Sequence, residues 1–197
     1  MVYLTRREEN IQNREKSGER IGRLKTITLK PIGKVKNSVR KMRREGWESV
    51  VSEIILEPKY EEALEGVEEY SHLLILFWLS RLRKPERELK KIHPKSRQDL
   101  PLVGIFSTRT QYRPNPIGLT QVKLVGRKKN ILRVQGLDAV DGTPVLDIKP
   151  LSPRDECPSK VRVPAWYHRL WAEPKKTDAN HDDLVKSQDA KRCPKDL

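Results

Sequence analysis

The sequence predicts a mainly β protein: a single domain with short flanking helices, a basic N-terminal extension and a polar C-terminal tail. Three observations carry that prediction. From Ile27 onward the apolar residues come in short runs of strand length rather than at helical spacing. Gly and Pro punctuate those runs, as turns between strands require. The 197 residues are enough for one domain with a real core and hardly for two.

Taken in order, residues 1–26 are polar and of mixed charge, and form either a frayed helix or a disordered arm. Arg6, Arg7, Arg14, Arg20 and Arg23 make that arm basic. The domain proper is placed at 27–168, with strands near 27–35, 50–57, 70–79, 102–108, 119–126, 130–138 and 144–149. Within it, Leu73 to Leu79 lacks alternation and is read as a central strand buried on both faces. Tyr60 to Glu65 suggests a short helix, and Leu124 to Leu132 a hairpin with a basic tip. Residues 81–97 carry Arg81, Arg83, Lys84, Arg87, Lys90, Lys91, Lys95 and Arg97 against Glu86 and Glu88. They read as a basic helix after Pro85 or as a mobile loop. The aromatics of Pro164 to Trp171 need burial, on the core or on a second subunit. Residues 169–197 form the tail.

Lys and Arg total 41 against 27 acids, a formal net charge of +14. Such an excess favours a polyanionic partner through counterion release, which for a soluble protein points to nucleic acid. The other reading is a charge-rich surface of the thermophile kind. Cys157 and Cys193 are too few for a disulfide framework or a zinc site, so no metal is expected. The N-terminus has no apolar leader and Leu73–Leu79 is too short to span a bilayer, so a cytoplasmic protein without a membrane partner is expected. Hydrolase, zinc-protease, P-loop and Rossmann signatures (G-x-S-x-G, H-E-x-x-H, G-x-x-x-x-G-K-[ST], G-x-G-x-x-G) do not occur.

The most informative stretch is Gly104-Ile-Phe-Ser-Thr-Arg-Thr-Gln-Tyr-Arg-Pro-Asn-Pro-Ile-Gly-Leu-Thr120. Pro114 and Pro116 fix their own φ and restrict the residues before them, holding Asn115 extended with its amide presented. Arg109 and Arg113 supply planar, permanently charged forks suited to carboxylate or phosphate. Asp141-Gly142 is a strong turn signal by itself, and Asp138, Asp141 and Asp147 are spaced to gather carboxylates at one hairpin end. His72 reads as a satisfied core residue rather than a proton shuttle. Glu53 and Glu68 read as surface acids or partners of local arginines.

This stretch resembles the signature of the TsaA-like, TrmO-type family of S-adenosylmethionine-dependent tRNA methyltransferases, which are built on a β-barrel. Leu29 to Val35, Val51 to Leu56, Gly66 to Trp78 and Leu137 to Pro150 are similar to further family blocks, in order. The resemblance therefore implies a single β-barrel, S-adenosyl-L-methionine as cofactor, and N6-methylation of threonylcarbamoyl-adenosine at position 37 of tRNA. It also implies a homodimer that holds the anticodon stem-loop. It places catalysis on Arg109 and Asp141. The cofactor grip falls on Arg43, Ser80, Arg81, Arg109, Leu119, Asp141, Gly142, Thr143 and Pro144, and substrate contacts on Arg113, Asn115, Lys90 and Lys91. Family members typically show Pro-Arg-Gln-Gly before the second strand, whereas this chain has Met42, Arg43, Arg44 and Glu45 ahead of Gly46. That departure predicts altered cofactor affinity or acceptor choice. The alternative reading is a basic barrel that binds RNA or S-adenosylmethionine without catalysis.

Overall fold

A computed structural model describes residues 25–43, 45–156 and 160–171. The chain divides into two compact units, Met1–Lys30 and Pro31–Leu197. The extension before residue 25 and the tail from residue 172, including Cys193, lie outside the described residues, as do Arg44 and Cys157.

The second unit is a closed barrel of six strands: β1 (Gly33–Lys36), β2 (Val51–Leu56), β3 (His72–Trp78), β6 (Ile117–Lys128), β7 (Ile131–Gln135) and β8 (Pro144–Pro150). Around the barrel they run β1-β2-β7-β6-β3-β8, so the mainly β prediction and the barrel hold. Every adjacent pair is antiparallel. Closure pairs every barrel strand on both sides. A separate two-stranded sheet joins β4 (Lys91–Ile92) to β5 (Val103–Gly104). Short helices follow: α1 (Lys84–Arg87), α2 (Pro153–Glu156) and α3 (Ala165–Trp171).

Alternation along each strand fills the interior. Val35, Ile54, Leu56, Leu73, Ile75, Phe77, Val122, Leu132, Val134 and Val145 form the core. The expectation for Leu73–Leu79 is corrected here. Leu73, Ile75 and Phe77 are buried, but the residues between them are only half-buried. A closed barrel has one filled side, and its outer side is only partly covered.

Other boundaries shift for local reasons. The first strand begins at Gly33, not Ile27, because Pro31 has no N–H to donate; Ile32 extends the pairing by donating to the Val145 carbonyl at 2.8 Å. The expected strand over 102–108 shrinks to Val103–Gly104, followed by a 3-10 turn at Ile105–Ser107. The Thr108 hydroxyl and N–H both donate to the Ile105 carbonyl, at 2.8 and 3.1 Å, and curl the chain out of strand geometry. The basic stretch gives one short helix, α1, with Pro85 in its first turn, and then β4. The helix expected at 60–65 is a chain of 3-10 turns, with Leu64 buried in the core.

The hairpin of β6 and β7 turns at Lys129, which takes φ 55°. Arg127 braces the neighbouring 58–69 segment. Its guanidinium donates to the carbonyls of Leu64 (3.1 Å), Glu61 (3.0 Å) and Lys129 (3.0 Å) and lies 3.4 Å from Glu68. The Arg127 pair and the Glu68 backbone hold the Glu68 carboxyl below its ordinary range, the backbone contribution being the larger. Lysine cannot reproduce this planar fork. Arg127→Lys is therefore expected to lower stability by about 1–2 kcal/mol, measured as a lower urea midpoint with an unchanged slope.

Helix α3 is tied at its C-terminal end. Arg97 donates to the carbonyl of Arg169 at 2.9 Å, and the Lys95 ammonium lies 4.0 Å over the Trp171 ring. Of the two places expected for its aromatics, the core or a second subunit, the core does not bury them: Trp166 is half-buried, while Tyr167 is 39% and Trp171 65% exposed.

Candidate active site

One end of the barrel carries an open cleft of about 160 Å³, lined by Met42, Leu79, Ser80, Arg81, Leu82, Glu86, Gln111, Ala139, Val140 and Thr143. These residues come from four segments far apart in sequence: the loop after β1, the exit of β3 into α1, the loop before β6, and the turn before β8.

The turn is built by its sequence. Thr143 donates from its N–H to the Val140 carbonyl at 3.2 Å, and its hydroxyl reaches the same carbonyl at 2.6 Å. Gly142 takes φ 78°, a conformation that only glycine adopts without strain. Gly142 and Val35 then lock the turn onto β1, Gly142 N–H to the Val35 carbonyl at 2.8 Å and Val35 N–H to the Thr143 carbonyl at 2.9 Å. Pro144 opens β8 opposite Lys34. Asp141 is held at this bend. Its own N–H donates to the Val39 carbonyl at 2.8 Å. One carboxylate oxygen accepts the Asn37 N–H at 3.0 Å and the other accepts from Arg40. Asp138 and Asp147 do not join it: Asp138 accepts from the Thr120 hydroxyl, and Asp147 pairs with Lys149 at 2.9 Å.

The loop after β1 has its own small core. Trp47, Val50 and Val140 are buried together with Val39 packed against them, so the loop is pinned to the turn. The Trp47 indole N–H donates to the Arg43 carbonyl at 3.0 Å, and the Arg43 guanidinium lies 4.9 Å over the Trp47 ring. Arg43 is thus directed onto its own loop, and Met42 lines the cleft.

On the opposite side, Ser80 and Arg81 are exposed in the cleft, with Arg81 donating to the Arg40 carbonyl at 2.5 Å. Glu86 accepts the Arg83 N–H at 2.7 Å, and this bond, with the Arg83 guanidinium beside it, holds the Glu86 carboxyl below its ordinary range. The Pro-Asn-Pro loop is stitched to the end of β3 by the Leu79 N–H and the carbonyl of buried Pro116 at 2.8 Å. Arg109 is exposed and donates to the Leu119 carbonyl at 3.2 Å, which brings these two predicted residues together. Arg113 instead donates within its loop, to the carbonyls of Thr110 and Thr108. Asn115 is exposed, as are Lys90 and Lys91 on the β4 side. His72 lies at the opposite end of β3 from Ser80 and bonds Ser71 at 2.9 Å.

Residues 40–157 match the model of the tRNA-methyltransferase O N-terminal domain. The chain belongs to that family. An S-adenosyl-L-methionine-binding protein of Archaeoglobus fulgidus is 36% identical over 139 residues, covering 68% of this chain and 96% of the relative. A mouse tRNA (adenine(37)-N6)-methyltransferase is 40% identical over 113 residues, 57% of this chain but 26% of the relative. The solved structure of TrmO from Pseudomonas aeruginosa superposes with a TM-score of 0.59 at 29% identity, over 73% of this chain and 63% of that one. The chain thus spans just under two thirds of the TrmO structure it matches.

Of the segments that resemble family blocks, 104–120 reaches the cleft through Gln111 and 137–150 through Ala139, Val140 and Thr143, while Leu79 to Glu86 follow the 66–78 block directly. The donors suit a nucleoside carrying an amino-acid group: Arg81, for a carboxylate, and Ser80, for a hydroxyl, line the cleft, while Asp141, for an ammonium or ribose hydroxyls, sits in the adjoining turn and Arg109 lies beside Leu119 on the signature segment. Met42, Leu79 and Val140 offer apolar surface for a base. Two residues were not singled out by sequence. Gln111, between the two signature arginines in sequence, lines the cleft, and Asn37 sits behind the turn. Among the described residues no cluster of His, Cys, Asp or Glu could hold a metal, and no helix is long and apolar enough to cross a membrane.

Proposed function

We propose that this member of the tRNA-methyltransferase O family uses S-adenosyl-L-methionine to methylate N6 of threonylcarbamoyl-adenosine at position 37 of tRNA. The observation that carries the reading is one cleft at the end of the barrel, lined by Gln111 of the signature loop, by Ala139, Val140 and Thr143 of the turn before β8 and by Ser80 and Arg81 after β3, in a chain of net charge +14. The cofactor supplies an electrophilic methyl on a sulfonium. Ser80, Arg81, Arg109, the Leu119 backbone and the Asp141–Pro144 turn hold it, with Arg43 buttressing the adjacent loop. Arg109 and Asp141 set the field and orientation at the reacting end, which for an in-line transfer supply most of the acceleration.

Arg113, Asn115, Lys90 and Lys91 meet the anticodon stem-loop, whose unpaired bases can be splayed into a pocket. Phe106, 76% exposed on the same loop, adds an aromatic surface there. In this reading the protein is cytoplasmic and homodimeric, and the exposed Tyr167 and Trp171 suit a subunit contact.

The test is transfer of labelled methyl to total tRNA from cells lacking their own activity, followed by nucleoside mass spectrometry. A new methyl on threonylcarbamoyl-adenosine is the expected product. Arg109→Ala is expected to lower turnover at least tenfold or so, the scale of one lost charge-assisted contact; unchanged turnover would remove Arg109 from the site. The engagement of Arg43 with its own loop and the departure around it favour one competing reading, a binder without catalysis. Calorimetric binding of S-adenosylmethionine with no methylated nucleoside would establish that one.

A further inference from the structure

The charged rim of the cleft is held from behind by Asn37, a residue outside every signature segment. Its side-chain amide is fixed at both ends. Nδ2 donates to the hydroxyl of Ser52 and to the Ala139 carbonyl, each at 2.9 Å, while Oδ1 accepts the Val39 N–H at 2.9 Å. Ser52 is 1% exposed in the barrel wall, so this anchor point cannot drift. With the amide clamped, the backbone N–H of Asn37 faces Asp141, 3.0 Å from Oδ1. The other oxygen of Asp141 accepts from Arg40, and the Arg40 carbonyl accepts from Arg81 at 2.5 Å. The Asn37 side chain thus ties the barrel wall to the segment before Asp141 and to the loop after β1, and its backbone N–H, through Asp141 and Arg40, continues the chain of bonds to Arg81 at the exit of β3.

We infer that Asn37 is a positioning residue for the ligand-binding cleft, fixing the Asp141 carboxylate and, through Arg40, the reach of Arg81 before any ligand enters. The identity of the ligand rests on the function proposed above; the positioning does not. The chemistry selects asparagine. The site needs two donors and one acceptor in one plane, close to the main chain. Aspartate has the shape without donors, serine has one donor, and glutamine is a methylene too long. Presetting the rim means that binding does not have to order it, and charged contacts are most effective when their supports are already fixed.

The test compares Asn37→Asp with the wild-type full chain, each alone and with Asp141→Ala. Three quantities are read: calorimetric affinity for S-adenosylmethionine, amide hydrogen exchange of residues 37–39 and 141–143 without ligand, and the melting temperature. The expected result is a loss of affinity of about tenfold, the scale of one or two hydrogen bonds to a charged group. Faster exchange confined to the two segments should accompany it, together with less than about twofold further loss when Asp141 is already alanine. Should Asn37→Asp fail to fold, Asn37→Ser retains a donor towards Ser52 and is held to the same criteria. Unchanged affinity overturns the inference, and so does full additivity with Asp141→Ala. A wild-type chain that does not bind S-adenosylmethionine overturns the functional reading instead. The exchange pattern then still decides whether Asn37 sets the turn.

Discussion

Asp141→Ala is expected to lower methyl transfer about 100-fold, the equivalent of about 2.7 kcal/mol, while leaving the barrel folded. The size follows from what the carboxylate holds. Its two oxygens take the N–H of Asn37 and the guanidinium of Arg40, residues over a hundred positions away in sequence. Hydrogen bonds to charged groups contribute about 1.5–3 kcal/mol each, and here the loss falls on the geometry of the cleft rather than on the core. Arg40 loses its partner and its carbonyl no longer fixes Arg81. The turn itself survives, because its backbone bonds to Val35 and Val39 do not use the side chain. Steady-state turnover of the tRNA substrate and a thermal melt on the same preparation separate the two effects. A 100-fold loss with a melting temperature within a few degrees of wild type is the expected pair. If turnover falls only in proportion to a large loss of stability, Asp141 is a scaffold residue and the cleft chemistry belongs elsewhere.

That prediction rests on a part of the site that the sequence made legible and a part that it did not. The Asp141-Gly142 dipeptide announces its turn, since glycine is needed at φ 78° and an Asp-Gly pair meets that need locally. The strands were legible for the same reason, because short apolar runs bounded by Gly and Pro are a property of neighbouring residues. Asn37 was not. Its partner Ser52 is brought to it by the pairing of β1 with β2 and Ala139 by the closing of the barrel through β8, and nothing within a few residues of Asn37 marks the meeting. The arginines fall between these cases. Their presence near the cleft was readable, but the direction of a long side chain depends on which carbonyl or ring lies within reach. Arg43 finds Trp47 and Arg113 finds the carbonyls of its own loop, whereas Arg109 stays exposed beside Leu119. The strand placed at 102–108 failed because the Thr108 hydroxyl competes for a backbone carbonyl, a local interaction that periodicity does not register.

Gly118 in the signature Pro-Asn-Pro-Ile-Gly is expected to matter for packing rather than for chemistry, and with a large effect. Gly118 stands directly opposite Phe77 across β3 and β6. A Cβ at Gly118 would lie 2.4 Å from two atoms of the Phe77 ring and 2.9 Å from a third. Phe77 is 2% exposed and packed among the core residues, so the ring has nowhere to retreat. Interiors packed at crystal-like density transmit such an insertion into backbone shifts, and the cost is about 3 kcal/mol. For a chain of this size that corresponds to a fall in melting temperature of roughly 10 °C in Gly118→Ala. The strain also reaches the cleft, because Ile117 and Leu119 flank Gly118 and Arg109 rests on the Leu119 carbonyl. The second substitution that separates packing from any ligand role is Phe77→Leu. Alone it leaves a small void and destabilises; combined with Gly118→Ala it removes the clash, so the double variant is expected to melt above the Gly118→Ala single variant. Additive losses in the double variant would mean that the glycine is needed for something other than room for the ring.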